Sequence, residues 1–317
     1  MKNILIPINH GLSSRYILRS NILNNLISYS NSNIIIAVAN PNEFSDLANQ
    51  YNGRISFIQS PELPNSYSKK QKIYRYINLI QNFGIPKDRI YSGIWVKKKL
   101  FKKNVNYTRI QRNFVLTLSR IHSNFYFFRK ALRFLTYPLI IDPRYTEFLK
   151  EKNIDIVLID GLTSFMPINS YWIAASKKLG LETTTIITNW DHPTTRGYES
   201  IESNQYLVWG KSMKEEMIKH QDINPSKLDI SGSIIFDMYS DPSFIIPIEQ
   251  LNSLNSRNIP KQYVLFLTHS PYYPYNFELI KYIRKHIQND ITLVIRLHPL
   301  YLDNFAKNEL KNHKKYD

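Results

Sequence analysis

The sequence predicts an α/β fold built on parallel sheets, and three observations carry that prediction. Short runs rich in Ile and Val recur along the chain, with helix-length segments between them. Runs such as Ile4–Ile8 and Ile34–Val38 are apolar at successive positions, as a strand covered on both faces requires. The strand-like and helix-like segments alternate instead of clustering by type, which is the order of a sheet wrapped by helices.

Ile4–Ile8 is the first strand, and the segment Gly11–Tyr29 after it sets Tyr16, Ile17, Ile22 and Leu26 near one face of a helix. Ile34–Val38 is the second strand, Pro41–Gln50 a short helix and Ile55–Ile58 the third strand. A long helical region follows, with breaks expected near Gly84-Ile85-Pro86 and at Pro138. Next come the strand Ile154–Ile159, a helix over Tyr171–Leu179 closed by Gly180, and the strand Thr183–Thr188. Tyr206–Val208 and Leu228–Ile230 are short strands around a helix over Ser212–His220.

Residues 237–260 change character, with three prolines among many Asn and Ser, and read as a linker. A new unit starts at 261: strand Tyr263–Thr268, helix Phe277–Ile287, strand Ile291–Arg296 and a polar helix to the end. Residues 1–236 and 261–317 therefore read as two Rossmann-like units. A nucleotide-binding half of this kind usually runs to about 100 residues or more, so the second unit is expected to be partial.

Composition bounds the function. With 317 residues, 43% hydrophobic and 21% charged, the chain has ample material for a core. Cys 0 excludes disulfides and thiolate metal sites. The N-terminus lacks the features of a secretory signal, and no run approaches the roughly 18 apolar residues of a membrane span. A cytoplasmic location follows as the expectation. The net charge of +16 favours polyanionic partners: nucleic acid, anionic lipid or nucleotide phosphates.

In parallel α/β sheets ligands gather outside the carboxyl ends of strands, so the loops there are the place to look. The first, Asn9-His10-Gly11-Leu12-Ser13-Ser14-Arg15, can turn tightly and receive an anion; His10 suits a general base and Arg15 a phosphate or carboxylate clamp. Asp160-Gly161 directly follows an apolar strand and is either a site carboxylate or turn chemistry. The densest cluster is Asn189-Trp190-Asp191-His192-Pro193-Thr194-Thr195-Arg196-Gly197. Trp190 can stack on a sugar, Asp191 can take a hydroxyl proton, Arg196 can hold an anion, and Asn189 and Thr194 add polar contacts. The bland reading is a Pro-anchored loop with a buried Trp and an Asp cap. In the second unit, adjacent strands would bring His269 and Ser270 beside Arg296 and His298, a set suited to a diphosphate. A metal would want a carboxylate ligand that this set lacks.

Lys97–Lys103 opens a stretch to Leu135 in which basic residues interleave with Phe, Leu and Tyr at helical spacing. Interfacial helices on anionic lipid have this make-up; an internal helix with a solvated basic side is the alternative, and RNA a more remote one.

The order "HGLSSR", "NWDHPTTRG", "NQYLVWGKSMKEEMIKHQDINPSKLDISGSIIFD", "YVLFLTHSPYY" and "IRLHP" resembles bacterial surface-carbohydrate glycosyltransferases of the GT-B fold, most closely over residues 186–299. The chain departs from the family pattern at His192-Pro193 (Asn-Leu in the family), Gly210 (Asn) and Leu297 (Pro). CDP-glycerol transferases and sialyltransferases carry similar His-Pro elements facing nucleotide phosphates, so by that likeness His298 and Pro299 look like donor contacts. The resemblance implies a nucleotide-sugar co-substrate on the second unit, a polysaccharide or lipid-linked acceptor on the first, and transfer without an obligatory metal or bound cofactor. His10 and Asp191 are the base candidates, and His269, Ser270, Arg296 and His298 the phosphate contacts. A nucleotide-sugar 2-epimerase or polyol-phosphate transferase of the same fold is the second expectation. A non-catalytic, membrane-associated remnant is the third.

Overall fold

The computed structural model describes all residues except 1, 10, 19, 30, 50, 52, 63–67, 86–97, 100, 105, 165–166, 241, 243–244, 256–258, 261, 270–272, 274, 299–300 and 302–317. The chain divides into two compact units, Met1–Ser240 and Asp241–Asp317.

The first unit is built on seven strands: β1 (Lys2–Pro7), β2 (Ser32–Val38), β3 (Ile55–Gln59), β4 (Ile156–Asp160), β5 (Glu182–Ile186), β6 (Gln205–Val208) and β7 (Leu228–Ile230). They pair in the order β3-β2-β1-β4-β5-β6-β7, every pair parallel. The period of two along a strand sends alternate side chains to opposite faces. On β1, Ile4 and Ile6 enter one core with Ile34, Ile36, Ile17 and Leu23, while Leu5 enters another with Val157, Ile159, Tyr145 and Trp172. Both faces are dry, so the strands had to be apolar throughout.

Helices α1 (Gly11–Leu18) and α2 (Ile22–Tyr29) cover the Ile4/Ile6 face. One continuous helix was expected here. The Ser20 hydroxyl donates to Ile17 O and accepts from Ile22 N, offering the backbone an alternative to the helical ladder, and splits it in two.

Between β3 and β4 the chain makes a helical excursion: α3 (Lys69–Phe83), α4 (Arg109–Asn124), α5 (Tyr126–Ile140) and α6 (Pro143–Glu151). Capping boxes open α3 (Ser68 with Gln71) and α4 (Thr108 with Gln111). Gly84 ends α3, where a Cβ would stand 2.6 Å from His122 Nδ1 and 2.8 Å from two carbonyl oxygens, so glycine permits α3 to meet α4. The break expected at Pro138 does not occur there. Pro138 lies inside the last turn of α5, and the chain breaks instead at extended Phe125. Ile77, Ile80, Phe83, Val115 and Leu132 form the common core of α3, α4 and α5.

Helix α7 (Pro167–Leu179) runs from β4 to β5 and is buried along Asn169–Ser176. Gly180, at φ +70°, ends it as expected, donating to Lys177 O while Leu181 N reaches Ser176 O. Helix α8 (Lys211–Gln221) links β6 to β7.

The second unit holds α9 (Ile248–Asn255), within the segment read as a linker, then β8 (Tyr263–Leu267), α10 (Asn276–His286) and β9 (Thr292–Arg296). Strands β8 and β9 pair in parallel, Leu267 opposite Arg296. No helix among the described residues is long and apolar enough to cross a membrane.

Candidate functional site

Strand order reverses direction in sequence at β1, which lies between β2 and β4, and parallel sheets bind ligands at the carboxyl ends beside such a reversal. There the first unit holds a cavity of about 920 Å³. Ile8, Asn9 and Ser14 come from the loop after β1; Val38, Asn40, Glu43 and Phe44 from the end of β2; and Gln59, Ser60 and Glu62 from the end of β3. Helix α3 adds Tyr74, Arg75 and Asn78, and α7 adds Ile168 and Tyr171.

The lining combines three aromatic rings, several amides and two carboxylates. Rings offer flat apolar faces, and amides and carboxylates offer paired donors and acceptors, which is how a saccharide presents itself in reverse. Glu43 accepts from Asn40 Nδ2 at 2.9 Å, and the buried Tyr74 hydroxyl donates to Ser170 Oγ at 3.0 Å. Asn169 joins the loops on either side of the reversal: its amide donates to Asp160 O at 2.7 Å while its oxygen accepts from Asn9 Nδ2 at 3.1 Å.

The loop after β5 stands further along the same sheet edge, and none of residues 189–197 lines this cavity. Trp190 is 68% exposed rather than buried, so its indole presents an open face. Asp191 precedes a single helical turn, His192–Thr195, but its side chain makes no capping bond. Its Oδ2 accepts from Thr195 Oγ1 at 2.7 Å and lies 3.6 Å from Arg196 Nε. Thr194 is buried and donates to Asp191 O at 3.3 Å; His192 is also buried, and Asn189 O receives the His192 amide. The carboxylate is thus engaged by its own loop. Gly197, at φ +105°, is where the loop turns, and a Cβ there would come within 2.5 Å of Asn82 Oδ1 and 2.8 Å of Asn82 Cα.

Asp160 ends β4 and is buried, and Gly161 at φ +75° turns the chain after it. Arg15 is exposed on α1 and does not line the cavity. His10 lies outside the described residues, as does Ser270.

Behind the β5 loop lies a buried polar assembly. Glu199 accepts from Thr163 N and Oγ1 at 2.8 and 2.9 Å and from Tyr206 Oη at 3.3 Å, and burial pushes its carboxyl up to about 7. Burial would also raise Glu202, yet Arg133, Lys227 and Lys130 around it bring it down to about 2. Arg129 pairs with Asp222 at 2.6 Å, and Asp222 also accepts from Tyr198 Oη. These groups anchor α5 and α8 to the loop.

In the second unit the strand ends converge. Thr268 N donates to Arg296 O at 3.0 Å, and Thr268 Oγ1 accepts from His298 N at 2.8 Å, so His269, Arg296 and His298 share one edge. Asn276, 1% exposed, accepts from His269 N and donates to His269 O, Tyr273 O and Tyr301 Oη. Among the described residues no group of three or more His, Asp or Glu is placed to hold a metal ion.

Sequence reasoning missed the cavity residues Asn40, Glu43, Glu62, Arg75 and Asn78, and the organising residues Asn169, Thr268 and Asn276. A signal existed for three of these. "NPNEF" and "SPEL" follow the second and third strands directly, and the strand-end rule applied there points to Asn40, Glu43 and Glu62. Nothing local marks Asn169 or Asn276.

No family model matches the chain, and no curated protein matches it. Solved structures match its fold. The Staphylococcus aureus MnaA–UDP co-structure aligns over 100% of this chain and 67% of its own, at 9% identity and a TM-score of 0.51. The Neisseria meningitidis UDP-GlcNAc 2-epimerase bound to UDP-GlcNAc aligns over 98% and 69%, at 13% identity and a TM-score of 0.50. A further UDP-N-acetylglucosamine 2-epimerase aligns over 100% and 66%, at 10% identity and 0.50. At such identities the likeness is one of fold. The chain has the α/β, GT-B-like architecture expected from its sequence, and spans about two thirds of the length of these structures.

Proposed function

We propose that the chain is a nucleotide-sugar enzyme of the glycosyltransferase class, passing a sugar to a surface polysaccharide or lipid-linked acceptor. One observation carries this reading. The first unit holds a cavity of about 920 Å³ with saccharide-binding chemistry, while cationic and imidazole side chains gather separately at strand ends of the second. A transferase needs an acceptor site and a donor-phosphate site of different chemistry. An epimerase needs only the donor site.

In the transfer, the acceptor oxygen bonds to the anomeric carbon as that carbon's bond to the diphosphate oxygen breaks. The acceptor proton passes to a base, for which Asp191 and His10 stand as candidates. Arg196 beside Asp191 favours its anionic form. Arg296, His269 and His298, with the Ser270 hydroxyl, receive the charge of the leaving diphosphate, so the reading needs no metal. Glu43 and Glu62 accept hydrogen bonds from acceptor hydroxyls in the cavity, and exposed Trp190 stacks on a sugar face. Arg15, Asn189, Asp160 and Thr194 belong to the same sheet edge as supports.

A second reading, a nucleotide-sugar 2-epimerase, is favoured by the names of the structures sharing the fold. Incubating the purified chain with UDP- and CDP-activated sugars, with and without oligosaccharide acceptors, separates the readings by product mass and proton spectrum. A new glycoside with released nucleotide diphosphate is expected. An inverted C2 centre without acceptor would establish the epimerase instead, and no turnover of any donor would leave a binding protein. Asp191→Asn is expected to lower turnover by about 10²–10⁴-fold if Asp191 is the base.

A further inference from the structure

Residues 89–141 contain no Asp or Glu. Within them α4 and α5 share a core with α3 through Val115 and Leu132, and pack on each other. The rows they turn outward are apolar: Ile110 (81% exposed) and Phe114 on α4, Phe127 (85%), Phe134 (80%) and Leu135 on α5. Exposed Arg109 and Arg120 flank the α4 row, and Lys102 and Lys103 precede it. Contiguous exposed aromatics with cations at their margin mark a surface that meets something apolar and anionic together.

Phe134 also forms one wall of a hollow of about 410 Å³ lined by Lys130, Arg133, Tyr137, Lys177 and Glu202. Glu202 is the only carboxylate in that lining, and it is already shared by Arg133, Lys130 (3.4 Å) and Lys227 (2.8 Å). Three cations line the hollow and a fourth backs it against a single anion, so its field is positive. The apolar row and the cationic hollow therefore meet at one residue.

We propose that the outer face of α4 and α5 docks on an anionic phospholipid bilayer, with Phe127 and Phe134 in the acyl boundary and a lipid headgroup phosphate in the hollow at Lys130, Arg133 and Lys177. This goes beyond the proposed transfer reaction and does not depend on it. It does give a lipid-linked acceptor a surface on which to arrive.

Flotation of the whole chain with lipid vesicles tests this. Vesicles of phosphatidylglycerol in phosphatidylcholine should carry the chain, and pure phosphatidylcholine should not. Binding should fall as the Debye length shrinks from about 10 Å at 0.1 M salt to about 3 Å at 1 M. Phe127→Ser with Phe134→Ser should weaken binding at least about tenfold at an unchanged urea midpoint, both side chains being solvent-exposed. Lys130→Gln and Lys177→Gln should each weaken it about fivefold, whereas Lys219→Gln, the same charge lost elsewhere, should leave it unchanged. Equal flotation with neutral vesicles, or flotation indifferent to the Phe pair, overturns the proposal. Salt-sensitive retention of RNA with no flotation overturns it too and assigns the face to nucleic acid. None of these outcomes bears on sugar transfer, so failure here leaves the reaction to its own test.

Discussion

At position 199 a carboxyl group with 0% exposure rests on three hydrogen bonds, and its protonation sets a measurable slope. Its folded value, about 7, lies above the ordinary 4.5, so the native state holds a proton that the unfolded chain releases. That contribution to stability is complete below about pH 4.5 and lost as pH rises to about 7, about 3 kcal/mol in all. His122 works in the opposite sense. Burial lowers it from 6.5 to about 4, so its contribution is complete above pH 6.5 and lost as pH falls towards 4. The two slopes overlap between pH 4.5 and 6.5 and nearly cancel. Glu199→Gln should therefore unmask a urea midpoint that rises with pH across that window, by about 1.4 kcal/mol per unit. An unchanged slope in the variant would refute the assignment. Gly197→Ala should cost at least about 2 kcal/mol, since its φ of +105° and the 2.8 Å approach of Asn82 Cα leave no room to adjust; calorimetry checks this.

Elements show which local chemistry the fold relies on. Ser68 and Thr108 each satisfy a backbone N–H at a helix start and receive a Gln side chain in return. Replacing either by Ala should cost about 1 kcal/mol by urea denaturation. The sheet of the second unit has two strands, and Leu265, Leu267 and Ile295 remain substantially exposed on it. Two strands bury little apolar surface. Residues 241–317 expressed alone should accordingly show no cooperative urea transition by circular dichroism, and a sigmoidal transition would contradict this.

On the scale of the whole molecule, the proposed reaction divides labour between the units, so damage should divide as well. Arg296→Ala should weaken nucleotide-sugar binding by about 10–100-fold, the worth of a charge-assisted bond to phosphate, without shifting the urea midpoint, because Arg296 is an exposed strand-end residue. Glu43→Gln with Glu62→Gln should leave donor affinity intact and raise the acceptor KM. Calorimetry with the nucleotide sugar and steady-state kinetics distinguish the two patterns. Loss of donor binding in the Glu43/Glu62 pair would place the donor in the first unit and remove the case for an acceptor cavity there.

The sequence by itself determined all nine strands, their parallel sense and the strand-end loops, because two-sided burial demands runs such as "ILIPI" and "IDIVLI" that no exposed segment tolerates. It also determined the stop at Gly180, where one residue supplies the left-handed turn. Only the tertiary structure decided how the strand-end side chains are used. Trp190 faces solvent and Asp191 leans on Arg196, because the space around a loop depends on elements distant in sequence: Gln221 fastens the loop through Pro193 O and Gly197 O. The cavity likewise needs α3 and α7 brought to the ends of β1, β2 and β3, a convergence of residues 8 to 171 that no local pattern encodes. Periodicity records which face of an element is dry. What a polar side chain meets depends on long-range packing, and that is written in no single stretch of the chain.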